Sequence, residues 1–371
     1  MPSRFNRFLL PGFAFKAFVI GGGYATGREL AEFFLPSGPL GGVLGMLLGM
    51  ACWSLVCAVT FLFARATRSF DYGAFFRQLL GPGALLFDLV YACLVLIVLS
   101  VFGAAAGEIG RALFGWPTLP GTLALMCGIA LVAAFGNNAV ERLFKFVTYF
   151  LYAVYVIFVA LALWRTGPQI AASFSAPQDT AGWVRGGLTY AGYNVVGAVV
   201  ILPVLRHLTS SRDALVAGIL AGPLGMLPAL LFFVCMAAYY PAIGAVALPS
   251  DYMLARLRVP AFHLVFQLMI FAALLESGTG AVHAVNQRIA GILKARNLSL
   301  PVLARLSLSF ALLVIAIFVA TRFGLVALIA RGYRFLAYLI IAVYVLPVLS
   351  YGLWRMLRRA PAGQLGSSPS G

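Results

Sequence analysis

Two glutamates lie within apolar stretches of the 371-residue sequence, where ionisable groups are rare. Glu108 lies in "AAAGEIG" and Glu276 lies in "AALLESGTG". If these stretches cross a bilayer, each charge costs at least about 2.5 kcal/mol, and such residues commonly mark ion or proton pathways. Desolvation favours the protonated acid, so Glu276 is the first candidate for proton exchange and Glu108 the second. The alternative is a structural role, in which each acid joins helices through hydrogen bonds.

Other polar residues follow Glu276 at helical spacing. Gly280 and His283 are four and seven residues later, on the same face of a helix, and Ser277 and Thr279 are close by. This pattern predicts a polar stripe that faces the interior of a helix bundle.

Three further charges flank a glycine run near the N-terminus. Lys16 lies five residues before Gly21, about 7.5 Å along a helix. It could pair with one of the two acids, or its ammonium could reach the membrane surface while the stem stays buried. Arg28 and Glu32 form an i, i+4 pair that could act as an outer gate, or that could belong to a solvated helix face.

The glycine run itself interrupts the first apolar stretch, "KAFVIGGGYATGRELAEFF". Each of Gly21, Gly22 and Gly23 costs roughly 1 kcal/mol in a helix interior relative to alanine. The run therefore predicts a broken helix with segments at 8–20 and 24–34. A break exposes N–H groups to an anionic ligand and carbonyl groups to a cation, and it survives in a membrane only where it lines a cavity.

A second stretch, "RGGLTYAGYNVVG", has a similar pattern. Its glycines Gly186 and Gly187 predict a matching break, with Tyr190, Tyr193 and Asn194 as walls of one shared site. The alternative for the tyrosines is anchoring at the membrane interface. The predicted substrate-binding residues are Gly21, Gly22, Gly23, Tyr24, Ala25, Thr26, Tyr190 and Asn194.

Two offsets along the chain indicate an internal repeat. Gly186 follows Gly21 by 165 residues, and Glu276 follows Glu108 by 168 residues. Two similar offsets favour five helices repeated once, and the odd number gives the halves opposite membrane orientations. The alternative is that small-residue clusters recur because they let helices approach closely.

The composition identifies the elements that must position these residues. Hydrophobic residues make up 63% of the chain, charged residues 10%, and the mean hydropathy is +1.00, which indicates a polytopic membrane protein. Ten apolar stretches can be distinguished, at about 8–34, 38–64, 82–111, 119–136, 142–164, 184–205, 213–240, 261–293, 302–320 and 333–357. We therefore expect one membrane domain over 1–360, with repeats at about 8–165 and 184–357, and a disordered tail at 361–371.

The net charge of +16 does not indicate nucleic-acid binding, because the basic residues follow the predicted loops. Sixteen of them fall on the cytoplasmic side and nine outside if both termini are cytoplasmic, which favours that orientation in a bacterial inner membrane. All five cysteines fall inside predicted spans, and no histidine has ligand-spaced companions. We therefore expect neither a disulfide framework nor a metal site.

The run from Gly21 to Glu29 carries a family resemblance. It is similar to the G-x-G-aromatic-A-[ST]-G-polar-E run in the first span of YkvI-like bacterial membrane proteins, and the chain resembles the amino acid, polyamine and organocation superfamily of LeuT-fold transporters. The resemblance implies an all-α polytopic membrane protein with ten transmembrane helices in a 5+5 inverted repeat and discontinuous helices 1 and 6.

The resemblance also implies roles for residues. In sodium-using relatives, hydroxyl groups of span eight and carbonyls of span one form a cation site, and Ser277 and Thr279 are the positions that match here. The family pattern has two adjacent hydroxyl residues, whereas Gly278 separates them in this chain. In some proton-coupled relatives a lysine takes the place of the bound cation, a role open to Lys16.

The predicted function is secondary active transport of a small polar organic solute, an amino acid or related amine, coupled to a proton or sodium gradient and requiring no cofactor. A channel is the alternative, although it would call for a continuous polar pore. An intramembrane enzyme is a further alternative, but the sequence lacks a nucleophile and base pair, a metal cluster or a phosphate loop.

Overall fold

The computed structural model describes residues 4–20, 25–135, 137–294 and 301–359 of the chain. The predicted tail at 361–371 and the predicted site residues Gly21 to Tyr24 lie outside these ranges. Within the described ranges the protein is helical. The helices are α1 (Arg4–Phe8), α2 (Leu10–Val19), α3 (Arg28–Phe33), α4 (Gly38–Thr67), α5 (Tyr72–Leu80), α6 (Ala84–Phe114), α7 (Thr118–Phe135), α8 (Asn137–Ser175), α9 (Trp183–Asn194), α10 (Gly197–Val200), α11 (Ser211–Ala237), α12 (Pro249–Leu257), α13 (Pro260–Lys294), α14 (Val302–Ala327), α15 (Arg334–Ile340) and α16 (Leu353–Arg359).

Six helical segments in the described part are long and apolar enough to cross a membrane. They are Leu35–Thr67, Tyr72–Phe114, Tyr149–Ser175, Ser211–Ala237, Pro260–Leu293 and Val302–Arg358. Their helical form follows from the absence of water in the bilayer core, where every backbone polar group must be paired within the segment. The predicted spans 302–320 and 333–357 lie on either side of Gly324, whose φ of 73° and ψ of 168° are not helical and separate two helices. A π-helical turn at Leu328–Tyr333 follows this break.

The first predicted span is interrupted. Helix α2 ends at Val19, and α3 begins at Arg28 after Gly27, whose φ of 76° lies in the left-handed region that favours glycine. The sequence therefore predicted an interruption correctly. The predicted break at Gly21–Gly23 and the predicted start of the second segment at Tyr24 lie outside the described residues, whereas the left-handed backbone at Gly27, which the sequence interpretation did not consider, lies within them.

The sixth predicted span is also interrupted, but not at its glycine pair. Helix α9 continues through Gly186 and Gly187 to Asn194. The regular α-helical pattern is lost at Val195 and Val196, although both keep right-handed helical φ and ψ values, and the short helix α10 follows. A methyl group at Gly186 would overlap the carbonyl oxygen of Phe33, and one at Gly187 would overlap that of Gly45. The prediction of a break at this pair was wrong, because these glycines allow close packing of α9 against α3 and α4.

The helices that contain both interruptions pack together. Helix α11 packs along α4 and α2, and α9 packs against both α4 and α15. Trp53 of α4 joins this group, since its ring meets Phe15 of α2 edge-on at 5.4 Å and its indole N–H donates to the carbonyl of Ala191 in α9 at 3.1 Å. Helices α7, α13 and α14 pack around α6 in a second group.

Candidate functional site

A buried carboxyl group lies just after the first interruption. Glu29 of α3 is only 5% exposed. Its Oε2 atom accepts a hydrogen bond of 2.5 Å from the hydroxyl of Tyr193, which is also buried and belongs to α9. The two interrupted spans are therefore joined by one polar contact between residues that are 164 positions apart in sequence.

Aromatic rings surround this contact. Tyr193 lies 4.6 Å from Tyr333 and 5.8 Å from Phe33, measured between ring centroids. Tyr190, one turn before Tyr193, meets Phe34 edge-on at 4.9 Å. The Tyr190 hydroxyl is fully buried and has no hydrogen-bond partner among the described residues. Such a donor costs free energy unless a ligand or water satisfies it.

The remaining predicted substrate-binding residues occupy both interruptions. Ala25 and Thr26 are buried, and the carbonyl of Thr26 accepts a hydrogen bond of 3.0 Å from the backbone N–H of Ser250 in α12. Asn194 is buried at the end of α9, where its amide donates to the carbonyl of Tyr190 at 3.2 Å. The structure thus places Tyr190 and Asn194 beside the second interruption and Ala25 and Thr26 beside the first.

The predicted gate residues form a buried ion pair. Arg28 donates to the carboxylate of Glu32 at 2.8 Å, and it also donates to the carbonyls of Gly244 and Val246 at 2.8 and 2.9 Å. Arg334 approaches the same carboxylate at 3.9 Å. Because the Arg28 side chain is 5% exposed, this pair does not belong to a solvated helix face. The gating role stays a prediction.

Lys16 and Glu276 lie near the same aromatic ring. The Lys16 ammonium is 4.4 Å from the ring centroid of Tyr152 in α8, and Glu276 acts electrostatically on the same tyrosine. No ion pair within 4.0 Å joins Lys16 to an acid in the described part of the chain. Lys16 is half-buried over an aromatic face, and its two predicted roles stay predictions.

The other predicted coupling residues are spread along two helices. Thr279 is fully buried in α13, and its hydroxyl has no hydrogen-bond partner within the described ranges. Ser277 is partly exposed. Glu108 of α6 forms an ion pair of 3.5 Å with Arg111, whose side chain is 58% exposed, so Glu108 lies beside a solvated arginine rather than beside Glu276.

The sequence interpretation missed Glu29 as a functional candidate. It considered Tyr193 as a wall of the site but did not connect it to an acid, and it did not consider Tyr333. The available signal was an acid inside the motif that interrupts the first span. Nothing in the local sequence indicates that a tyrosine 164 residues later completes the contact.

Comparisons with known proteins agree with this architecture. No family model matches the chain. The chain is similar to YkvI of Bacillus subtilis strain 168. The two sequences are 24% identical over 334 residues, which cover 89% of this chain and 92% of YkvI, described as an uncharacterized membrane protein. The predicted resemblance to YkvI-like proteins is thereby confirmed.

Solved structures show the same fold. A sodium-coupled sialic acid symporter in a substrate-bound, outward-open state matches with a TM-score of 0.60 at 10% identity, over 92% of this chain and 79% of that chain. The inward-facing structure of Mhp1 matches with a TM-score of 0.58 at 17% identity, over 94% of this chain and 77% of that chain. The fold is that of LeuT-type proteins.

Proposed function

We propose that this chain is a secondary active transporter that moves a small polar organic solute by alternating access. One observation carries the proposal: the two interrupted spans lie against each other on both sides of their interruptions. Helix α2 meets α10, where a methyl group at Gly197 would contact Phe18 and Phe15. Helix α3 meets α9 through the contact between Glu29 and Tyr193.

The chemistry of such an arrangement suits solute binding. Interrupted helices in a membrane leave N–H and carbonyl groups that a solute or ion can satisfy at mid-depth. The Tyr190 hydroxyl, which has no hydrogen-bond partner among the described residues, and the amide of Asn194 supply further polar groups beside the second interruption. We therefore propose an amino acid or related amine as the solute, bound between Gly21–Thr26 and the pair Tyr190 and Asn194.

We further propose ten membrane spans arranged as two inverted repeats of five. The interruptions in the first and sixth predicted spans support this arrangement, as does the likeness in fold to LeuT-type proteins. In this proposal both termini are cytoplasmic, and the pair Arg28 and Glu32 lies on the outer side as a gate.

The transport is coupled to a proton or sodium gradient in this proposal. The buried Thr279 hydroxyl, which has no partner in the described part of the chain, and the nearby Ser277 support a cation site on α13. The sialic acid symporter with the same fold is sodium-coupled. The buried Glu29 and the partly exposed Glu276 provide the alternative, a proton site.

Transport by the purified protein in liposomes tests the proposal. Labelled amino acids, amines and organic acids are offered under an imposed sodium gradient, an imposed pH gradient or neither. We expect at least one solute to accumulate above its outside concentration under one gradient, and an ionophore that collapses the gradient to abolish the accumulation. Protein-free liposomes are the control. Uptake that only equilibrates the solute would indicate a channel and contradict the proposal.

A further inference from the structure

Glu29 is a buried acid without a cationic partner in the described part of the chain. Among these residues, the one hydrogen bond to its carboxyl group comes from Tyr193. Its neighbour Arg28 is directed elsewhere, to Glu32 and to the carbonyls of Gly244 and Val246. The basic side chain closest in sequence therefore does not neutralise Glu29.

The elements packed against α3 contribute few other charges. They are the short turn Leu35–Ser37, the helix α9, the turn Ala242–Ala245 and the π-helical turn Leu328–Tyr333. The turns Leu35–Ser37 and Ala242–Ala245 contain no ionisable side chain. The titratable and charged groups on α3 and on the remaining elements, with the adjoining Arg334, are Arg28, Glu32, Arg185, Tyr190, Tyr193, Arg331, Tyr333 and Arg334. Of the arginines, Arg185 and Arg331 are exposed and Arg334 approaches Glu32.

An isolated carboxylate in such surroundings carries a large desolvation cost, so a bound cation must balance it or a proton must neutralise it. Sodium is a hard cation that prefers several oxygen ligands, as calcium and magnesium do. Among the described residues, the hydroxyl of Tyr193 is the one oxygen that makes a hydrogen bond to the Glu29 carboxyl group, and the rings of Phe33 and Tyr333 pack against that tyrosine. A proton needs only the carboxyl oxygen itself.

We propose that Glu29 carries the coupling proton of the transport cycle, taking it from water on one side of the membrane and returning it to water on the other. This inference rests on the proposed transport function and deepens it. The O–H bond forms on the carboxyl group as a hydronium ion gives up its proton, and the reverse step regenerates the carboxylate.

The contact with Tyr193 explains how this proton affects the protein. A hydrogen bond to an ionised carboxylate is about twice as strong as one to a neutral acid. Protonation of Glu29 therefore weakens the link between α3 and α9, which belong to different interrupted spans. If two conformations of the protein differ in this hydrogen bond, Glu29 binds a proton with different affinity in each. Such a difference is what couples proton binding to a conformational change.

Infrared difference spectroscopy tests this inference without any knowledge of the transported solute. Spectra of the full-length protein in liposomes are recorded between pH steps. We expect the carbonyl stretch of a protonated carboxylic acid to be present at neutral pH and to disappear as the pH rises. The component of this band that belongs to Glu29 should be lost in Glu29→Gln and retained in Glu276→Gln, and the double variant distinguishes the two acids. A band of unchanged position and intensity in Glu29→Gln would overturn the inference.

A second variant keeps the carboxyl group of Glu29, so the inference can still be tested if Glu29→Gln does not fold. Tyr193→Phe removes the hydrogen bond and should shift the band, whereas Tyr333→Phe should leave its position unchanged. Addition of sodium chloride at fixed pH should also leave the band unchanged. Loss of the band on sodium addition would show that the carboxylate binds sodium and would overturn the assignment of a proton.

Transport separates failure of this inference from failure of the proposed function. If a solute accumulates under a pH gradient, Glu29→Gln should reduce the accumulation to the level without a gradient. Unchanged, pH-driven accumulation in Glu29→Gln would overturn the role of Glu29 while the transport function stands. If no solute accumulates under any gradient, the transport function fails and the coupling role fails with it, whatever the infrared band shows.

Discussion

Glu29 and Glu276 are both acids in predicted membrane spans, but their surroundings differ. Glu29 is almost fully buried, and its hydrogen bond comes from Tyr193 of the other interrupted span. Glu276 is partly exposed in the uninterrupted helix α13 and has no hydrogen-bond partner among the residues that the structure describes. It acts electrostatically on Tyr152, which lies beneath the ammonium of Lys16.

This difference indicates which acid can transmit a change of charge. A proton on Glu29 alters a direct contact between two interrupted helices. A proton on Glu276 alters the electrostatics of an aromatic ring and of a lysine that is not directly bonded to it. Depth in an apolar sequence stretch is therefore a weaker guide to coupling than contact with a second interrupted element.

Replacement of a basic side chain in the surroundings of each acid should give the largest difference in the free energy of unfolding. Arg28→Met leaves Glu32 and two carbonyl groups without their buried donor and should lower the free energy of unfolding by about 3–5 kcal/mol. Lys16→Met loses the cation–π contacts with Tyr152 and Phe13 and should cost about 0.5–1 kcal/mol. Unfolding by SDS titration in mixed micelles measures both values. Similar losses in the two variants would contradict the contrast.

Two glycine-to-alanine substitutions should give a smaller difference in stability. Gly186→Ala places a methyl group against the carbonyl of Phe33 beside Glu29 and should cost about 1–3 kcal/mol. Gly291→Ala lies in the same helix as Glu276, has no atom within 4 Å of the new methyl group, and should stabilise the helix by up to about 1 kcal/mol. Thermal unfolding in detergent shows whether each substitution lowers or raises the stability of the protein. Stabilisation by Gly186→Ala would refute the close packing of α9 on α3.

The sequence was sufficient to predict helices, membrane insertion and an interruption in the first span. These features depend on composition and on local runs such as Gly21–Gly23, which act within a few residues. The same reasoning failed at Gly186 and Gly187, because a glycine pair can either break a helix or let another backbone approach. The atoms that distinguish the two cases, the carbonyl oxygens of Phe33 and Gly45, lie far away in sequence.

In the candidate site, too, contacts between residues close in sequence were predictable, and contacts between distant residues were not. The ion pair between Arg28 and Glu32 was predictable because its members are four residues apart on one helix. The partner of Glu29 was not, since Tyr193 reaches it only after the two interrupted spans pack together. Glu276 attracted attention because of its apolar neighbours in sequence, although the structure gives it fewer polar partners than Glu29.

Removal of a single tyrosine hydroxyl in the surroundings of each acid should give the smallest difference in the free energy of unfolding. Tyr193→Phe leaves the buried Glu29 carboxyl without its hydrogen bond and should lower the free energy of unfolding by about 1–3 kcal/mol. Tyr152→Phe keeps the ring that contacts Lys16 and removes a hydroxyl that bonds to none of the described residues, so the change should stay within about 0.5 kcal/mol. SDS titration of the two variants in the same micelles provides the measurement. A loss in Tyr152→Phe as large as that in Tyr193→Phe would mean that Glu276 depends on a hydroxyl as much as Glu29 does, and the distinction between the two acids would disappear.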